Sequence, residues 1–98
     1  MKKHEISSFI LKAKEIARKL GFEIESHPES KHSIWIVFYI NDYFLDMDIN
    51  DECEVSLTYE RGITMNFKPI WKKNNVTIDD VENALEEIKR DSIKEIIP

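Results

Sequence analysis

The residues that most strongly suggest a chemical role are the carboxylates of the segment DMDINDECEV, residues 46–55. Asp46, Asp48 and Asn50 alternate as the first three ligands of a helix–loop–helix calcium site do. The match then fails, because Asp51 stands where that loop needs glycine and Leu57 where it needs a bidentate glutamate. We interpret the segment as a hairpin with outward acidic side chains. A weak divalent-cation site at Asp46 and Asp48 is the alternative, since alternate strand residues project the same way.

No pattern in the sequence indicates catalysis. Carboxylates on an open sheet face share one environment, so we expect no pair with the separated pKa values that acid–base catalysis needs. Cys53 lies in an acidic turn that disfavours the thiolate, and no serine has a histidine at a recognisable spacing. His27 and His32 would need two further ligands to hold zinc. We therefore predict that the protein is not an enzyme and that it has no cofactor and no metal.

The stretch that positions these carboxylates is SIWIVFYINDYFLDMD, residues 33–48. It predicts two antiparallel strands joined by a two-residue turn at Asn41 and Asp42, both of which tolerate positive φ. With Ile40 opposite Tyr43, opposed residues share a face along the whole hairpin. One face is apolar, and the other mixes aromatic residues with carboxylates. The outer-face pairs are Tyr39 with Phe44, Val37 with Asp46, and Trp35 with Asp48.

Two further turns extend this hairpin into an antiparallel meander. Asp51–Cys53 is predicted as a three-residue turn, and Glu60–Gly62 as another with its glycine in the left-handed third position. The second turn pairs Glu54 with Lys68 on the outer face. Pro69 is predicted to end the last strand, and the polar segments around it and after the first strand to be loops. The predicted strands cover about 22–25, 33–40, 43–50, 54–59 and 63–68.

Two amphipathic helices flank the predicted sheet. The first covers about His4–Leu20 and is capped by Gly21, and the second begins at Thr77 with acidic residues in its first turn. We predict one two-layer α+β domain spanning residues 1–98, with both helices on the apolar sheet face. The other face is then left uncovered. Trp71 is predicted to cover one end of the core.

The net charge of −5 is unevenly distributed. Residues 1–20 carry six basic and two acidic side chains, whereas residues 21–67 carry two basic and ten acidic ones, a local charge of −8. An acidic sheet argues against direct binding to nucleic acid. No apolar run is long enough to span a bilayer, and lysines interrupt the apolar residues near the N-terminus, so we expect a cytoplasmic protein without membrane contact.

These patterns favour a protein that binds a basic protein partner through the uncovered face. Such partners include toxin nucleases and defence nucleases, so an immunity-protein-like role or that of a phage-type inhibitor is predicted. One alternative is a homodimeric structural or chaperone-like module using the same face, and a third hypothesis is a low-activity enzyme or a small-ligand protein. The aromatics could instead only stiffen strands or pack under the loops. We expect a monomer in isolation, with a dimer as the alternative. The predicted site residues are Trp35, Val37, Tyr39, Phe44, Asp46, Asp48, Glu54 and Glu60.

Overall fold

The computed structural model describes residues 2–30, 33–63 and 66–96. Its strands form one antiparallel sheet in which each strand lies beside the next one in the chain, which confirms the predicted meander. A short 3-10 helix precedes the first α-helix. In chain order the elements are the 3-10 helix Lys3–Glu5, α1 Ile6–Lys19, β1 Glu23–Ser30, β2 Ser33–Ile40, β3 Tyr43–Ile49, β4 Val55–Ile63, β5 Asn66–Asn74 and α2 Ile78–Ile96.

The first α-helix begins at Ile6, slightly after the predicted start at about His4, whereas the end of α1 and the beginning of α2 are as the sequence predicts. Gly21 follows α1 with a φ of +88°, a conformation that costs glycine little. At the start of α2, Asp80 accepts hydrogen bonds from the backbone N–H of Thr77 at 2.8 Å and from its hydroxyl at 3.1 Å. The Asp80 backbone N–H donates to the Thr77 hydroxyl oxygen in return. These bonds lower the pKa of the Asp80 carboxyl and fix where the second helix begins.

The core lies between the two helices and one face of the sheet, as predicted. From α1 it takes Phe9, Ala13 and Ala17, and from α2 it takes Val81, Ala84, Leu85 and Ile88. The sheet contributes the predicted inner residues of the central strands, including Ile36, Phe38, Leu45, Met47 and Leu57. Trp71 packs against this core from β5, as predicted. Within the described ranges, no helix combines the length and apolar character needed to cross a membrane.

The register of the three central strands agrees with the sequence prediction. Ile40 lies opposite Tyr43 across the Asn41–Asp42 turn, and Val37 lies opposite Asp46. The turn at Asp51–Cys53 has three residues, because the Asn50 N–H donates to the Glu54 carbonyl across it at 3.1 Å. Cys53 takes the left-handed third position with a φ of +63°. Inner and outer faces therefore stay constant across β2, β3 and β4.

The predicted turn at Glu60–Gly62 is wrong, because β4 continues to Ile63. Gly62 has no positive φ, and its N–H donates to the Asp42 carbonyl at 2.8 Å. A turn at Glu60 would have left that carbonyl and the start of β3 without this pairing. The longer hairpin moves the register of β5. Lys68 consequently pairs with Arg61 and not with Glu54.

The two edge strands are longer than predicted. Residues 26–30, expected to form a loop, continue β1 beside β2, with Ser26 opposite Ile36. His32 lies outside the described residues. Pro69 does not end β5, which runs on to Asn74 past an irregularity where Ile70 is extra. Proline is tolerated there because an edge strand has one side free of ladder hydrogen bonds. The aromatic face is thus bordered by strands where loops were predicted.

Candidate docking site on the outer sheet face

A groove of about 330 Å³ lies on the sheet face opposite the helices. Val37 is 7% exposed, although it belongs to neither the helix-side core nor a covered face. It is buried because outward side chains on three strands stand around it. Val37 therefore forms a floor, and the face is less bare than the sequence predicted. We call this feature the central groove; its lining residues are Glu25, His27, Trp35, Val37, Phe44, Asp46 and Glu60.

Two pairs of aromatic rings lie along this face. His27 on β1 and Trp35 on β2 have ring centroids 4.7 Å apart, and Tyr39 and Phe44 are stacked at 5.7 Å. These contacts follow from cross-strand pairing, since His27 is opposite Trp35 and Tyr39 is opposite Phe44. His27, Trp35 and Phe44 line the central groove, so the first pair supplies both of its rings and the second supplies one.

Carboxylates reach the central groove from β1, β3 and β4. Glu25 accepts a hydrogen bond from the Tyr39 hydroxyl at 3.5 Å and lies 3.2 Å from the His27 ring nitrogen Nε2. The pKa of the Tyr39 hydroxyl is raised, first by loss of hydration and then by the negative charge of Glu25. Across the floor, Asp46 is half-buried and shares a hydrogen bond with Glu60.

The Asp46–Glu60 pair differs from the sequence prediction of carboxylates in one shared environment. Burial raises the pKa of Asp46 to about 7, and the hydrogen bond and charge of Glu60 act in the same direction. A hydrogen bond from Trp35 favours the charged form and opposes the shift. Two carboxyl groups that share a hydrogen bond hold one proton between them. The two groups are diagonal neighbours on β3 and β4.

The predicted site residues divide into two groups in space. Trp35, Val37, Phe44, Asp46 and Glu60 meet in the central groove, and Tyr39 stacks against its edge. Asp48 and Glu54 do not join them. Both line a separate hollow of about 130 Å³ at the end of the sheet near the Asp51–Cys53 turn.

Two lining residues were not among the predicted site residues. Glu25 and His27 enter the central groove from β1, because the outward positions of that strand continue past Glu25 to His27. The alternation of Glu23 and Glu25 in the first predicted strand already places Glu25 beside the outer-face aromatics, and its continuation to His27 is the signal that could have found the histidine. Pro28 pointed instead to a loop beginning at Ser26.

Among the residues that the structure describes, no group of three or more histidine, cysteine, aspartate or glutamate side chains is placed to hold a metal ion. Asp46 and Asp48 do project from the same face of β3. The carboxyl group that shares a hydrogen bond with Asp46 is, however, Glu60 on the neighbouring strand, whereas Asp48 acts on Asp46 only through its charge.

Comparison with known proteins gives no match. No protein-family model matches the chain, and neither a curated protein nor a solved structure matches it. The functional argument therefore depends on the geometry and charge of the outer sheet face.

Proposed function

We propose that the protein is a small binding protein whose outer sheet face docks on a basic protein partner. The observation that carries the proposal is the central groove, where aromatic and apolar walls stand beside three carboxylates. Aromatic anchors in a partly desolvated depression with a polar surround are typical of the residues that dominate protein interfaces.

The charge of the chain supports a basic partner. Residues 21–67, which contain β1 to β4, carry a local charge of −8. An acidic surface speeds encounter with a basic protein and suppresses binding to acidic ones. Nucleases and other nucleic-acid enzymes carry basic surfaces, so an inhibitor of a toxin nuclease or a defence nuclease is the role that fits. In this proposal the chain acts in the cytoplasm as a monomer.

Affinity capture from the native cell with matched variants tests the proposal. Trp35→Ala combined with Asp48→Lys removes one ring and reverses one charge on the outer face. Leu11→Ala combined with Lys12→Glu likewise removes one large apolar side chain and reverses one charge, but on the exposed side of α1. We expect a basic protein to be captured by the wild type and by the α1 variant and to be lost with the outer-face variant.

Folding of the variants is checked by circular dichroism and thermal melting. Glu25→Lys provides a second outer-face variant that keeps every aromatic side chain, and we expect it to lose capture as well. Undiminished capture by both outer-face variants would place the interface elsewhere. Capture of acidic proteins alone would contradict the electrostatic part of the proposal.

A further inference from the structure

We infer that the central groove binds the guanidinium group of an arginine side chain presented by the protein partner. This inference rests on the proposed function, because it assigns one side chain of the partner to one feature of the docking face. It is argued from the shape of the groove, from the placement of its carboxylates, and from the lack of a lysine or arginine paired with them among the described residues.

The shape of the central groove fits a long side chain with a flat end. Val37 gives an apolar floor on which the methylene groups of an arginine can pack. Trp35 and Phe44 supply ring surfaces at the sides, and a guanidinium plane is attracted to aromatic faces. A small hydrated cation would gain nothing from these apolar walls.

The carboxylates of the groove lie on opposite sides of that floor. Glu25 is opposite Val37 on β1, and Asp46 is opposite Val37 on β3. The two flanking strands are about 10 Å apart, twice the usual strand spacing. Side chains that lean inward from both strands can meet the two edges of one guanidinium, which has five donors in a fixed plane. The ammonium group of a lysine is a compact point charge and matches this arrangement less well.

Among the described residues, the carboxylates of the groove have one basic neighbour, because the His27 ring lies 3.2 Å from Glu25. The ion pairs found there join His4 to Glu5, His27 to Glu25, and Arg61 to Asp42. No described lysine or arginine pairs with Glu25, Asp46 or Glu60. A proton between Asp46 and Glu60 takes the place that a cation would fill, in keeping with the raised pKa of Asp46.

Three capped tripeptides test the inference without the natural partner. Acetyl-Gly-Arg-Gly-amide is compared with peptides in which the arginine is replaced by citrulline, which has the same shape without the charge, or by lysine. Binding is followed through the indole N–H resonance of Trp35 and the methyl resonances of Val37 in labelled full-length protein. We expect saturable shifts with the arginine peptide, with a dissociation constant on the order of 1–10 mM.

Variants of the carboxylates connect the shifts to the groove. Asp46→Asn and Glu25→Gln should each weaken binding of the arginine peptide about fivefold, whereas Glu82→Gln on the exposed surface of α2 should leave it unchanged. The citrulline peptide should produce no saturable shift, and the lysine peptide should bind at least about threefold more weakly than the arginine peptide.

Equal binding of the citrulline or lysine peptide would overturn the arginine assignment, as would unchanged binding by the Asp46 and Glu25 variants. These outcomes are separate from failure of the proposed function. If the outer-face variants abolish capture of the basic partner while the arginine peptide fails to bind, the docking proposal is supported and the arginine site is contradicted. If the arginine peptide binds as described but the outer-face variants capture the partner as well as the wild type does, the arginine site is supported and the docking proposal is contradicted.

Discussion

The pKa of Asp46 depends on the other side chains of the central groove. It lies beside the apolar floor, and burial together with Glu60 raises its pKa to about 7. An aspartate in water titrates near pH 4, so the folded chain retains a proton on this group over a range in which the unfolded chain has lost it. The titratable groups that line the groove with it are Glu25 and His27 on β1 and Glu60 on β4, and Asp48 on its own strand adds negative charge.

Asp46→Asn is predicted to change how stability depends on pH. Between about pH 4 and pH 7 the folded wild type binds the extra proton, so its free energy of unfolding falls as pH rises through this window. Asparagine removes this contribution. The variant should gain roughly 1–2 kcal/mol relative to the wild type between pH 4 and pH 8, less than an unscreened shift would give because water reaches the half-buried group. Urea unfolding at both pH values measures the difference.

Asp51→Asn is the matched control, since the same chemical change falls in the exposed turn after β3. Its stability relative to the wild type should change little between the two pH values. A variant at Asp46 that keeps the pH slope of the wild type would show that this carboxyl is ionised like any exposed one, and the account of the shared proton would be wrong.

At the scale of strands and helices, alternation in the sequence predicts faces better than it predicts lengths. The structure confirms the predicted register from β2 to β4. This register could be predicted because a one-residue slip would expose every core residue of a strand. The end of β4 was mispredicted because Gly62 suits a turn locally, whereas pairing beside β3 satisfies the Asp42 carbonyl. The depth of the central groove could not be predicted, since it depends on how the side chains around Val37 pack.

A buried hydroxyl on β4 forms a hydrogen bond between the sheet and α2. Tyr59 is 1% exposed, and its hydroxyl donates to Asp91 of α2 at 2.8 Å. Burial and Asp91 raise the pKa of Tyr59. Tyr59→Phe should lower the free energy of unfolding by about 1–2 kcal/mol, because the half-buried Asp91 loses its donor. Chemical denaturation measures the loss.

Tyr39→Phe is the corresponding control on the outer face, where the hydroxyl makes only a long hydrogen bond of 3.5 Å to Glu25. Its unfolding midpoint should equal that of the wild type. If Tyr59→Phe is also indistinguishable from the wild type, the hydrogen bond to Asp91 does not help to hold α2 on the sheet.

For the whole molecule, charge is unevenly distributed along the chain, with a basic first helix and acidic strands after it. Residues 1–20 carry a net charge of +4 and include α1, whereas residues 21–67 carry −8 and supply the carboxylates of the outer face. Such a separation orients a charged partner before contact. We predict that raising ionic strength from 50 to 500 mM slows association with the partner by about tenfold or more and changes dissociation much less. Stopped-flow mixing with the purified partner measures both rates.

The two tryptophans allow the most direct test of the central claim, because they lie on opposite faces of the sheet. Trp35 lines the central groove, whereas Trp71 packs against the helix-side core and donates its indole N–H to Glu87 at 2.8 Å. In labelled protein titrated with the partner, the indole N–H resonance of Trp35 is predicted to shift or broaden while that of Trp71 stays in place. A complex in which the indole resonance of Trp71 shifts and that of Trp35 does not would contradict docking through the outer face.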